Sequence, residues 1–186
     1  MQTVASILWR KLDTAGHDAC RLEQGADAWQ IDGSAVFALP EGRIAQLHYR
    51  VRCDLAWRTR WGTVRGWIGG ESIDLSITRD ARGGWKLDDA AVADLGHCTD
   101  LDLGFTPATN LIVLRRLHLG VGETADAPAA WLDLESRTLG ELAQRYERRG
   151  DAAYGYSAAR FDYDAVLAVT PEAFVSDYPG LWRAES

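Results

Sequence analysis

The stretch DLGFTPATNLIVLRRL, residues 102–117, changes character three times: acidic extended positions, a Gly-Phe-Thr-Pro corner, then an apolar run closed by two arginines. Thr106 followed by Pro107 reads as an N-cap with proline in the first helical position, where its fixed φ fits and its missing N–H costs nothing. A helix from Pro107 to about Ile112 follows, with a simple turn as the alternative. Beyond it, Val113, Leu114, Leu117 and Leu119 fit either a continued helix or an extended strand.

Around this stretch, strand signals dominate. Gln46 to Asp54 alternates cleanly, with Leu47, Tyr49, Val51 and Cys53 on one face and His48, Arg50, Arg52 and Asp54 on the other. Ser72 to Arg79 repeats the pattern, and a loop at 80–84 returns the chain through Trp85 as a hairpin. Ala28–Ile31 and Ser34–Leu39 flank Asp32-Gly33, a strong two-residue hairpin signal. Leu55 to Trp67 forms another strand, with Trp57, Thr59 and Trp61 opposite Arg58 and Arg60. Phe161–Val169 and Ala173–Tyr178 form two more. Residues 138–149 match a capping box, yet they also alternate at period two, and Gly140 weakens a first helical turn by roughly 1 kcal/mol. A hairpin that turns at Arg149-Gly150-Asp151 onto Tyr154 and Tyr156 is the preferred reading. Many short strands with tight turns imply a mainly β fold, an antiparallel, curved or rolled sheet.

Composition sets the bounds. The 186 residues form one domain, 1–186, with no linker or charge block between halves. The chain is 47% apolar, but no run is long enough to span a membrane, and the start lacks the pattern of a secretion signal. A cytoplasmic protein is expected. A net charge of -7, with arginines scattered and no basic tract, argues against a nucleic-acid partner. Cys20, Cys53 and Cys98 lack paired spacing and read as reduced thiols. His17, His48, His97 and His118 have no ligand spacing, so neither metal nor cofactor is expected.

The candidate chemistry lies in charged pairs. Asp100 and Asp102 share one face of an extended segment, where paired carboxylates serve acid/base catalysis, ligand binding or ion pairing across a sheet. Arg58, Arg60, Arg115 and Arg116 are the available partners. A guanidinium offers bidentate bonds to carboxylate, phosphate or sugar diols, and it stacks on tryptophan, of which there are eight. An inward arginine requires an inward acid or a bound polar group.

Residues 99–117, TDLDLGFTPATNLIVLRRL, resemble the putative glycolipid-binding family, a bacterial domain of unknown function. WRKLD at 9–13, YRVRCD at 49–54, AWRTR at 56–60, QRYER at 144–148 and DYPGLW at 177–182 extend the resemblance in order along the chain. It implies a spiral β-roll, a many-stranded antiparallel curved sheet wrapped around a single α-helix, that forms homodimers by sheet association. The fold it implies is similar to that of bacterial lipoprotein and lipid carriers, whose sheets enclose an apolar cavity; no catalytic residue is implied. The expectation is a binding protein for a glycolipid or other amphiphile inside the roll. Its acyl chain would lie on Trp, Leu and Phe, and its head would meet Thr106, Asn110, Arg115 and Arg116, with Arg58, Arg60, Trp61, Asp100 and Asp102 completing the candidate site. The alternatives are an enzyme that uses Asp100 or Asp102 on a small or lipid-linked substrate, and a structural or regulatory dimeric module without ligand.

Overall fold

The computed structural model describes residues 1–185. Its first half is a meander of long strands: β1 (Gln2–Lys11), β2 (Gly16–Gln24), β3 (Trp29–Ala38), β4 (Ile44–Cys53), β5 (Thr59–Ile68) and β6 (Glu71–Arg79), followed by short β7 (Trp85–Leu87) and β8 (Ala90–Val92). After β9 (Asp100–Asp102), a 3₁₀ turn (Pro107–Thr109) leads into α1 (Asn110–Leu117). The rest is again extended: β10 (Thr124–Asp126), β11 (Ala129–Asp133), β12 (Thr138–Leu142), β13 (Arg145–Gly150), β14 (Ala153–Ala158), β15 (Tyr163–Val169), β16 (Val175–Tyr178) and β17 (Trp182–Ala184).

Fourteen strands make one antiparallel sheet, in the order β10-β13-β14-β15-β16-β17-β1-β2-β3-β4-β5-β6-β7-β8. Strands β12, β11 and β9 form a second, small sheet, in which β9 and β11 run parallel. The large sheet is curved and stays open, so its concave side has to be filled. The filling is α1, with Leu101 and Leu103 beside it and Leu132 from β11, all buried. Asn110 through Leu114 are buried without interruption, so this helix has no wet face over those residues. Its flanks divide the core. Leu111 and Ile112 join the inner residues of β1–β7, whereas Val113 and Leu114 join Tyr146, Tyr154, Tyr156, Leu167 and Val175 on the β13–β16 side. The junction of the two arms is pinned by the buried Trp9 indole, whose Nε1 donates to the Val175 carbonyl at 2.6 Å.

The helix begins where Thr106-Pro107 places it. Thr106 is extended, and its Oγ1 accepts from the Ala108 N–H at 3.0 Å. The apolar run continues as helix to Leu117, and His118 closes it in the left-handed conformation with its N–H on the Leu114 carbonyl.

Two local expectations need correction, and a third is refined. Asp32-Gly33 makes no turn: it sits mid-strand in β3, paired with Arg21 and Cys20 on one side and Arg50 and Tyr49 on the other. The glycine serves close approach instead, because a Cβ there would lie 2.2 Å from Cζ of Tyr49. The expected strand from Leu55 starts only at Thr59, after a turn in which Trp57 takes φ 63. Next to it the register slips, since Cys53 faces Thr59 while Arg52 faces Trp61. That bulge at Arg60 turns Trp61 to the outer face, the opposite of simple alternation. Finally, residues 138–149 are extended as preferred, and β13 pairs with Tyr154 and Tyr156 as read. However, β12 and β13 belong to different sheets, so this segment carries the chain from the small sheet to the large one.

The space over Gly33 lets Tyr49 reach Asp18, a buried carboxylate on β2. The Tyr49 hydroxyl donates to it at 3.0 Å, and the Thr106 hydroxyl donates to it at 2.5 Å while capping the helix. The acid therefore stands behind the positive end of the helix. No cation pairs with it among the described residues, and burial raises its pKa to about 6 despite both hydroxyls. Keeping it ionised at neutral pH costs on the order of 3 kcal/mol. The folded state holds this proton more tightly than the unfolded chain does, so the contribution favours folding below about pH 4 and is lost as pH rises through about 6. Urea titrations across that interval should show wild-type stability declining relative to Asp18→Asn, with the two curves parallel at higher pH. A constant difference from acid to neutral pH would exclude this role.

Candidate ligand-binding site

The two halves of the core do not meet perfectly. Between them lies a partly open cavity of about 480 Å³, within the range of small-molecule sites. Phe37, Phe105 and Trp182 wall it from the β1–β7 side, and Leu142, Tyr156 and Ala158 from the other. Trp131 on β11 covers one wall, made possible by the corner at Gly104: with φ 67, any Cβ there would sit 2.5 Å from the indole nitrogen. Phe161 packs edge-on to Trp131 at 5.5 Å, and the Arg160 guanidinium lies 4.7 Å over the same indole. Tyr163 and Tyr178, 5.4 Å apart, complete an aromatic flank, with the Tyr163 hydroxyl donating to the Pro179 carbonyl.

The polar side of this cavity is Asp102. It is half-buried, its Oδ1 accepts from the Gly104 N–H at 2.7 Å, and its Oδ2 accepts from Gln144 Nε2 at 2.6 Å. Gln144 also donates to the Tyr156 hydroxyl at 3.1 Å. Burial raises the Asp102 carboxyl above the ordinary range; the two N–H donors oppose that, and neighbouring Asp100 adds to it.

The other expected site residues lie elsewhere. Arg116 grips the buried Asp100 in a fork, Nε at 2.9 Å and Nη2 at 2.6 Å, which fixes the last turn of α1 to β9. Burial pushes the Asp100 carboxyl up and the guanidinium pulls it back. Arg115 donates to the Glu172 carbonyl at 3.0 Å and lies 5.9 Å over Trp57, itself stacked on Trp29. Asn110 donates to the Tyr146 hydroxyl at 2.8 Å, and Thr106 is committed to the Asp18 network. Arg58 is exposed in the turn before β5, and exposed Arg60 donates to Asp54 at 2.8 Å. Of the nine residues, only Asp102 borders the cavity.

Sequence reading did not find Trp131, Tyr156, Gln144 or the cavity's remaining aromatics. They come from β3, β11, β14, β15, β16 and β17 and from the connecting segments that carry Phe105, Gln144 and Phe161, and no spacing signal links positions so far apart. Tyr49 was read as an inward strand position, but its bond to Asp18 was not foreseen, for the same reason. Among the described residues there is no cluster of histidine, cysteine and carboxylates that could hold a metal ion. No helix is long and apolar enough to cross a membrane.

A rolled antiparallel sheet with a helix buried in its concavity and an aromatic cavity at the core junction define the fold class, a β-roll wrapped around a single helix. Residues 6–184 match the family described as "Putative glycolipid-binding", and the chain belongs to that family. A crystal structure of a DUF1089 family protein from Pseudomonas aeruginosa is similar over 89% of this chain and 91% of that one, with 28% identity and a TM-score of 0.78. No curated protein matches the chain in sequence.

The Arg116–Asp100 fork makes a direct test. Arg116→Ala leaves a carboxylate buried without its cation and should cost about 3–5 kcal/mol at neutral pH. Part of that loss should return in acid, where Asp100 takes up a proton. Urea denaturation at neutral and acid pH measures both, and a loss below about 1 kcal/mol, the value of an exposed pair, would show that the fork carries little.

Proposed function

We propose that this protein binds an amphiphilic small molecule, a glycolipid or a related lipid, in the cavity at the core junction. The supporting observation is the cavity's make-up: about 480 Å³ walled mainly by aromatic and aliphatic side chains, with the half-buried Asp102 carboxylate and the Tyr156 hydroxyl among its polar groups. An acyl chain would lie against Phe105, Trp131 and Trp182, and the head near Asp102 and Tyr156. The arginines first considered for the head group are bound to protein partners or lie in the exposed turn before β5, so they play no part in this reading. Ala38 lines the cavity and is only half-buried, so Ala38→Trp should fill the space without opening the core. Delipidated wild type mixed with a lipid extract should retain an amphiphile in native mass spectrometry, and Ala38→Trp should retain none. If the wild type also emerges empty, the reading fails.

One observation favours a second reading. Asp102 is the member of the Asp100/Asp102 pair without an arginine, and its pKa is raised, as a general acid requires. On this reading the protein hydrolyses a lipid-linked glycoside or ester. Chromogenic alkyl glycosides and esters should then turn over with wild type and lose at least about a hundredfold in rate with Asp102→Asn. Equal background rates for the two proteins would rule out this role.

A further inference from the structure

Where a ligand would lie does not say what its head carries, but the hydrogen-bond inventory of the cavity does. Four carboxylates line it, Asp13, Asp102, Asp133 and Glu135, against one cation, Lys11. Lys11 is already occupied: its ammonium donates to Asp13 and lies 5.4 Å over the Trp182 ring. Arg160, outside the lining, is stacked on Trp131, and Asp133 is used within its own turn, accepting from the Glu135 N–H. Asp102 makes no ion pair among the described residues. A carboxylate has about four lone-pair positions, and the protein supplies this one with two donors, Gly104 N–H and Gln144 Nε2. Gln144 Oε1, in the layer behind it and not itself in the cavity lining, also lacks a donor. Apart from the Tyr156 and Tyr178 hydroxyls, which can donate as well as accept, the polar wall offers a ligand carboxylate acceptors and no free cation among the described residues.

An entering carboxylate or phosphate would bring further acceptors and like charge into this wall, a juxtaposition that disfavours binding. A hydroxyl or ammonium brings the missing donor, and an ammonium also gains from the faces of Tyr156 and Trp131. We propose that the cavity selects amphiphiles whose head is a neutral or cationic hydrogen-bond donor, a hydroxyl or an ammonium read by Asp102, and rejects fatty-acid carboxylates and lipid phosphates. The proposal rests on the cavity being the amphiphile site. It reverses the arginine-centred head-group chemistry that the sequence invites. Burial raises the Asp102 carboxyl, and an ammonium head would supply the charge partner it lacks.

The test uses four probes of one chain length, each below its critical micelle concentration: dodecyl glucoside, dodecylamine, dodecanoate and dodecyl phosphate. Titration calorimetry on the wild-type chain should give the glucoside or the amine at least about tenfold tighter binding than either anion. Whichever of the two is tighter identifies the head as hydroxyl or ammonium. Asp102→Asn keeps an acceptor but removes the charge, so it should weaken dodecylamine and strengthen dodecanoate, narrowing the gap. Ala38→Trp should abolish all four titrations, locating them in the cavity. Anions that bind wild type as tightly as the glucoside would overturn the proposal while leaving the cavity reading intact, and so would an unchanged preference in Asp102→Asn. If no probe binds, the cavity reading falls and takes the proposal with it. The wild-type comparison decides the selectivity even if Asp102→Asn does not fold.

Discussion

The structure depends on one constraint: a sheet curved this strongly and left open must have its concave side filled. A helix does this at the price of losing contact with water over most of its length, so its polar ends must be satisfied inside the protein. At the start, Thr106 caps the Ala108 N–H and leans on Asp18 and Tyr49. At the end, Arg116 carries its charge to Asp100. Between them Asn110 finds the Tyr146 hydroxyl on β13. These bonds tie the helix to β2, β4, β9 and β13, so the same groups that make its burial tolerable also fix its position within the sheet.

Such an arrangement was only partly legible in the sequence. The strands of the first half could be read because one face is buried and the other wet, which imposes alternation on Leu47, Tyr49 and Val51 and again on Ile73, Leu75 and Ile77. The helix start could be read because Thr106-Pro107 is a local signal. Asp32-Gly33 misled, since the same two residues that make a tight turn also suit a strand centre where a ring must cross the backbone; only the tertiary partner, Tyr49, decides between them. Trp61 misled through a bulge, a shift of a single residue that alternation cannot foresee. The family resemblance supplied what periodicity did not, the wrapping of the sheet around one helix.

The candidate site was the least legible part, for a physical reason. Charged residues that look like a ligand's partners in sequence are in the fold largely taken up by the protein itself: Arg116 by Asp100, Arg60 by Asp54 and Arg115 by the Glu172 carbonyl. A buried charge attracts its own partner within the protein first, and what remains for a ligand is the group left over. That group is Asp102, which its strand register sets beside Trp131 at the edge of the aromatic wall.

The order of strands in the large sheet has a consequence for how the molecule assembles. Along β1 to β8, and again along β13 to β17, nearly every pairing joins strands adjacent in sequence, so each arm consists of local hairpins that close over short loops. Only β1 against β17 joins the arms, and its pin, Trp9 to Val175, spans 166 positions of chain. Closing so long a loop is entropically costly before any contact rewards it. The two arms are therefore suited to forming early and separately, with the junction, the helix between them and the cavity along their seam completed together as the last step of folding.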